Sequence, residues 1–131
     1  MNLLLDTHVF LWFISGDERL PTAMRDVIRD PENEVYLSVI SIWEAIVKHQ
    51  IGKLSLPQPP EKYLPLQRER HQIESLPLDE NSVSQLAKLP FIHRDPFDRI
   101  LICQAIEHGM ALVTVDEVIL SYPVSLWRSE K

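Results

Sequence analysis

Four acidic residues stand where a carboxylate is either a cap or a reagent. Asp6 closes the short apolar run Asn2–Leu5, and Asp116 closes the run Met110–Val115. Glu44 lies on one helical face with Ile40, Val47 and Ile51, and Asp98 shares a face with Leu101, Ile102 and Ala105. A carboxylate set in an apolar stripe is costly unless it is paired or bound to a metal. Each acid has a structural alternative. Asp6 and Asp116 suit helix N-caps, and Glu44 can pair with Lys48 at i,i+4, for about 0.2–0.5 kcal/mol. Asp98 can be the third-position acid of a capping box opened by Asp95 and Pro96. Gathered at one place, four carboxylates repel and some hold their protons unless a cation joins them. Hard oxygen donors of this kind suit Mg²⁺ or Mn²⁺. Such ions generate hydroxide from water and stabilise the leaving oxygen of a phosphodiester.

The elements that must carry these acids can be read from periodicity and punctuation. Asn2–Leu5, Val35–Leu37, Ile73–Leu76 and Met110–Val115 read as short buried strands, and Val124–Trp127 as a last one. Helical patterns run from Val9 to near Gly16, from Pro21 to about Asp30, and from Ser41 to Gly52. Others run from Pro60 to about Arg70, from Asn81 to Leu89, and from Pro96 to His108 before Gly109. Strands alternating with helices predict an α/β fold with a central parallel sheet. In such sheets ligands sit beyond the carboxyl ends of the strands, which is where Asp6 and Asp116 fall.

Composition narrows the function classes. The chain has 131 residues and is expected to form a single domain over 1–131. A net charge of −6 argues against a surface coated for duplex DNA, though not against a local basic groove. One cysteine, Cys103, excludes an internal disulfide and a cysteine-based zinc site, and a reducing cytoplasm is the expected location. The longest uninterrupted apolar run, Val9–Ile14, is too short for a signal or membrane segment. Three dispersed glycines exclude the Gly-rich dinucleotide loop and the Walker P-loop.

The chain resembles the PIN-domain nucleases, and among them the VapC-type toxins of prokaryotic toxin–antitoxin pairs. The likeness rests on Leu4-Leu5-Asp6-Thr7-His8, Ser41-Ile42-Trp43-Glu44, His93-Arg94-Asp95-Pro96-Phe97-Asp98-Arg99 and Thr114-Val115-Asp116. It implies three α/β/α layers with strands in the order 3-2-1-4-5. It implies an Mg²⁺- or Mn²⁺-dependent endoribonuclease that cuts single-stranded or looped RNA by metal-activated water. It also implies a homodimer held inactive by a small cognate antitoxin. By position, Asp6, Glu44 and Asp98 would form the metal-binding core, with Asp116 as fourth acid. Thr7 and Thr114 match polar positions beside the acids, and strand-end or capping hydroxyls are their plainer reading. Asp95 stays between cap and site.

His8, His93, Arg94 and Arg99 flank the acids and could hold phosphates, arginine bidentately; local packing is the alternative for the histidines. Lys48, His49, Lys53, Arg68, Arg70 and His71 form a second basic set, either an RNA approach or a solvated face. Trp12, Phe13 and Trp43 suggest core or a dimer face. The competing class is a phospho-receiver signalling domain of the response-regulator kind. It would need Asp79 as phosphoacceptor and a lysine near the last strand, which the sequence lacks, and it leaves Glu44 and Asp98 without a role.

Overall fold

The computed structural model describes residues 1–92 and 95–128. Its order is β1 (Asn2–Leu5), α1 (Thr7–Ser15), α2 (Thr22–Arg29), β2 (Glu34–Ser38), α3 (Val39–Gln50) and α4 (Pro60–Arg70). There follow β3 (Glu74–Leu76), α5 (Glu80–Ser84), a 3₁₀ turn at Gln85–Ala87, α6 (Pro96–His108), β4 (Ala111–Val113) and a 3₁₀ turn at Ile119–Ser121. The sheet runs β3-β2-β1-β4 with every pairing parallel.

β1 lies inside the sheet, so its leucines must be apolar on both faces, and Leu3, Leu4 and Leu5 are all fully buried. Leu3 and Leu5 join Val35, Leu37 and Val113 beneath Val9, Phe10 and Phe13 of α1, Ala45 of α3 and Leu64 of α4. Leu4 points the other way, to Leu76, Leu112, and Ile102 and Ala105 of α6. The strand's period of two thus sorts the helices, α1–α4 over one face and α6 over the other. This is the expected three-layer arrangement.

The expected fifth strand shrinks to one parallel bridge, Leu112 to Leu126. β4 offers only three residues to pair with, and Leu112 holds the segment, donating to the Ser125 carbonyl at 2.9 Å and accepting the Trp127 N–H at 3.0 Å. Capping moves other boundaries. The long helix starts at Val39, not Ser41, because the Ser38 hydroxyl accepts the Ile40 N–H at 3.0 Å. Pro21 precedes α2 as its cap residue rather than opening its first turn. The expected helix Asn81–Leu89 divides into α5 and a 3₁₀ turn, with Asp79 accepting the Ser82 N–H at 2.8 Å. Gly16 and Gly109 end α1 and α6 at φ 65° and 63°, which glycine adopts without strain.

One polar group is buried between layers. Gln104 of α6 is fully enclosed, takes the Ser38 hydroxyl proton at 2.5 Å and donates to the Pro77 carbonyl at 3.2 Å. It ties α6 to the carboxyl end of β2, where α3 begins. No helix among the described residues is long and apolar enough to cross a membrane.

Candidate active site at the carboxyl edge of the sheet

Asp6 is the junction between β1 and α1. Its N–H still bonds Val113 of β4 at 2.9 Å, while its carbonyl already accepts the Phe10 N–H at 3.1 Å. Asp6 stands at the N-cap position of α1, but its side chain makes no capping hydrogen bond there. Asp6 is 3% exposed; Oδ2 accepts the Thr114 hydroxyl at 2.8 Å, and Oδ1 is buried with no hydrogen-bond partner. Burial raises its pKa. The Thr114 bond and the charge of His8 oppose that rise, and the charge of Glu44 adds to it.

Glu44 reaches the same edge from α3 and is 1% exposed. Thr7 Oγ1 lies 2.8 Å from both Glu44 Oε1 and Ser41 Oγ. A carboxylate only accepts, so the Thr7 proton goes to Glu44 and the Ser41 proton to Thr7. Glu44 Oε2 accepts from Lys48 Nζ, so the expected i,i+4 pair forms as well, with the acid end buried. The stripe proposed around Glu44 is shorter than its spacing suggests. Ile51 is 60% exposed because α3 ends at Gln50.

Asp98 comes from the first turn of α6. Asp95 is the N-cap there, accepting the Phe97 and Asp98 N–H groups at 2.8 and 3.2 Å. Asp98 has its pKa raised to about 8, by burial first and then by the charges of Asp6, Asp95, Glu44 and Asp116. That list places four acids within electrostatic reach of Asp98. Asp116 also turns its own chain: its Oδ1 accepts the Val118 N–H at 2.9 Å, and its N–H donates to Thr114 Oγ1 at 3.0 Å. Its carboxylate thus closes a local turn rather than capping a helix, while its charge reaches Asp98. Thr114 links the two acids, donating to Asp6 and accepting from Asp116.

The residues flanking the acids separate. His93 and Arg94 lie outside the described residues. Arg99 is engaged on the loop before α6: it donates to the Pro90 carbonyl at 3.1 Å and the Tyr122 hydroxyl at 3.4 Å, and stacks over Phe91. His8 is exposed and lines a groove of about 360 Å³ with Thr7, Trp12, Arg19, Lys48 and Lys53. The second basic set does not form one surface. α4 carries Arg70 and His71 to the start of β3, where His71 packs edge-on against Phe13. Arg68 is occupied by the Ile73 carbonyl at 3.0 Å. Only Lys48 and Lys53 of that set line the groove. Trp43 is not core. It is 56% exposed, edge-to-face with Phe97 at 5.0 Å, so the two aromatics adjoin Glu44 and Asp98 in sequence and meet in space.

The donor set is all oxygen, buried and mutually repelling, which is the chemistry a hard divalent cation suits. Among the described residues no three His, Cys, Asp or Glu side chains converge as a finished metal cage. The buried Oδ1 of Asp6, left without a hydrogen-bond partner, is the observation that fits the site to a cation. Gln104 escaped sequence reasoning. Ser41 reads from the sequence as a helix start and as part of the Ser41–Glu44 motif, without the bond to Thr7 that it makes here.

The sequence profile of the PIN domain matches residues 3–124. This chain belongs to the PIN-domain family. Ribonuclease VapC22 of Mycobacterium tuberculosis is 28% identical over 131 residues, covering 96% of this chain and 98% of that protein. The fold resembles two solved assemblies. One is VapBC2 from Rickettsia felis bound to a DNA fragment from their promoter, with TM-score 0.71, 15% identity and 98% of each chain covered. The other is VapBC-1 from nontypeable Haemophilus influenzae, with TM-score 0.65, 17% identity and 98% and 97% of the chains covered. Neither the family nor these likenesses favours a phospho-receiver.

Proposed function

We propose that this PIN-domain protein is a metal-dependent endoribonuclease, the toxin member of a toxin–antitoxin pair, acting in the cytoplasm on single-stranded or looped RNA. The observation that carries the reading is that Asp6, Glu44 and Asp116 all lie near enough to Asp98 for their charges to add to its burial, which together raise its pKa to about 8. Asp6, Glu44 and Asp98 would hold Mg²⁺ or Mn²⁺, with Asp116 in support. A bound divalent ion supplies positive charge and acidifies water at neutral pH. The chain's own part is orientation. Thr114 holds Asp6, Thr7 holds Glu44, and the Asp95 cap holds the first turn of α6 so that Asp98 faces the others.

With a net charge of −6, phosphate grip has to be local, and His8, Lys48 and Lys53 in the adjoining groove supply it. His93 and Arg94 are further candidates for phosphate. Arg99 could join them only by leaving Pro90 and Tyr122. Weak affinity for long duplex leaves selectivity to loop shape and exposed bases. Relatives assembled as VapBC complexes support a small cognate antitoxin as partner. A homodimer is supported by the exposed Val39 and Trp43, one helical turn apart on α3.

The test is cleavage of structured RNAs in Mg²⁺, Mn²⁺ or EDTA by wild type, Asp98→Asn and His93→Ala. Cleavage is expected to vanish in EDTA and in Asp98→Asn and to fall only in part in His93→Ala. Activity that survives EDTA and Asp98→Asn but is lost in His93→Ala would overturn the reading in favour of a metal-free reaction at the 2′-hydroxyl.

A further inference from the structure

The two most deeply buried carboxylates of the site, Asp6 and Glu44, are not equally open. Asp6 has one oxygen on Thr114 and one buried oxygen without a partner. Glu44 has both oxygens committed, Oε1 to the Thr7 hydroxyl and Oε2 to the Lys48 ammonium. A divalent ion that takes Glu44 as a ligand meets the Thr7 hydroxyl at Oε1 or the ammonium at Oε2, and at either oxygen it comes to a carboxylate whose charge Lys48 already offsets. Two cations at one carboxylate repel strongly where solvent is scarce.

Lys48 has somewhere else to go. Its side chain is 31% exposed, against 2% for Glu44, and it also lines the groove shared by His8 and Lys53. From α3 it faces Glu44 one turn back, and its charge is felt by Asp95 and Asp98 at the start of α6. Burial works to lower its basicity but is outweighed by the Glu44 hydrogen bond and by the charges of Glu44, Asp95 and Asp98. The ammonium thus bridges two environments, the acid cluster on one side and the basic groove on the other.

We propose that Lys48 is a built-in counter-cation of the acid site, which competes with the divalent ion for Glu44 and moves to the groove when that ion binds. Lys48 is a positioning residue here: it sets how tightly the site takes metal and adds a positive charge to the groove once metal is present. The proposal rests on the acid cluster being a metal site, so its test separates the two claims.

The experiment is titration of Mn²⁺ alone into the purified full-length protein, followed calorimetrically. The variants are Lys48→Met, Lys48→Gln, Lys48→Arg, Lys53→Met and Asp98→Asn. Lys48→Met and Lys48→Gln are expected to bind Mn²⁺ about tenfold more tightly than wild type, because the competing charge is gone. Lys48→Arg should stay close to wild type, since it keeps the charge. Lys53→Met, which removes a charge from the same groove but not from Glu44, should change the affinity less than about twofold. The Gln variant keeps the measurement interpretable should the Met variant fold poorly. Unchanged or weaker binding in both uncharged Lys48 variants overturns the proposal, as does an equal gain in Lys53→Met. In those cases wild-type binding that is lost in Asp98→Asn leaves the metal reading standing. No Mn²⁺ binding by any form overturns both.

Discussion

Asp98→Asn is expected to abolish metal-dependent RNA cleavage, by about a thousandfold or more, while leaving the metal-free protein at least as stable as wild type at neutral pH. The two effects have one cause. The Asp98 carboxyl is lifted from its ordinary 3.8 to about 8 by burial and by Asp6, Asp95, Glu44 and Asp116. An acid whose pKa is higher in the fold keeps a proton that the unfolded chain has already released. Without metal, stability therefore falls as pH rises from 3.8 to about 8, and the loss is complete above that window. Asn carries no proton to lose, so the variant's melting temperature should lack that component of the slope. A divalent ion relieves the same repulsion, so Mn²⁺ should raise the wild-type melting temperature most at the alkaline end and have little effect on Asp98→Asn. Thermal melts from pH 5 to 9, with and without Mn²⁺, check this. Parallel curves for the two proteins would deny Asp98 its place in the cluster.

Phe10→Ala is expected to have the largest effect on stability, because it empties the layer that aims Asp6. Phe10 is 1% exposed and packs among Leu3, Leu5, Val9 and Phe13 under α1. Truncating a buried phenylalanine costs about 3–5 kcal/mol, transfer and cavity together. For a domain of this size that lowers the melting temperature by roughly 10–20 °C. The Phe10 N–H closes the first turn of α1 on the Asp6 carbonyl, so the loosened helix also frees the residue that begins it. Denaturant unfolding should show a lower midpoint with an unchanged slope. A loss below about 1 kcal/mol would mean that the layer repacks around the missing ring.

The acids were legible in the sequence because each stands at a local signal. Asp6 and Asp116 end apolar runs, and Asp98 follows an Asp-Pro helix start. Glu44 interrupts an apolar face, although Ile51 at the end of that face proved exposed. The supports around the acids are non-local. Gln104 finds Ser38 and Pro77 across sequence separations of 66 and 27 residues, and Thr114 finds Asp6 across 108. No periodicity announces such pairs; only the sheet order brings them together. Asp95 combines capping, and Asp116 a turn bond, with a charge that reaches Asp98, so local structure and nearness to the site do not exclude each other. The basic set, open in the sequence between an RNA approach and a solvated face, divides for a geometric reason. Residues close in sequence to the Pro-rich turn diverge once α4 runs away from the acids.

The most direct test of the central claim is the chemistry of the RNA ends. Hydrolysis breaks the bond between phosphorus and the 3′-oxygen, with water as nucleophile, when the oriented carboxylates and a divalent ion do the work. Fragments made by wild type in Mg²⁺ or Mn²⁺ should carry 5′-phosphate and 3′-hydroxyl ends, detected by ligation without prior kinase treatment, and none should form in EDTA. Fragments ending in 2′,3′-cyclic phosphate, formed equally with and without chelator, would contradict it.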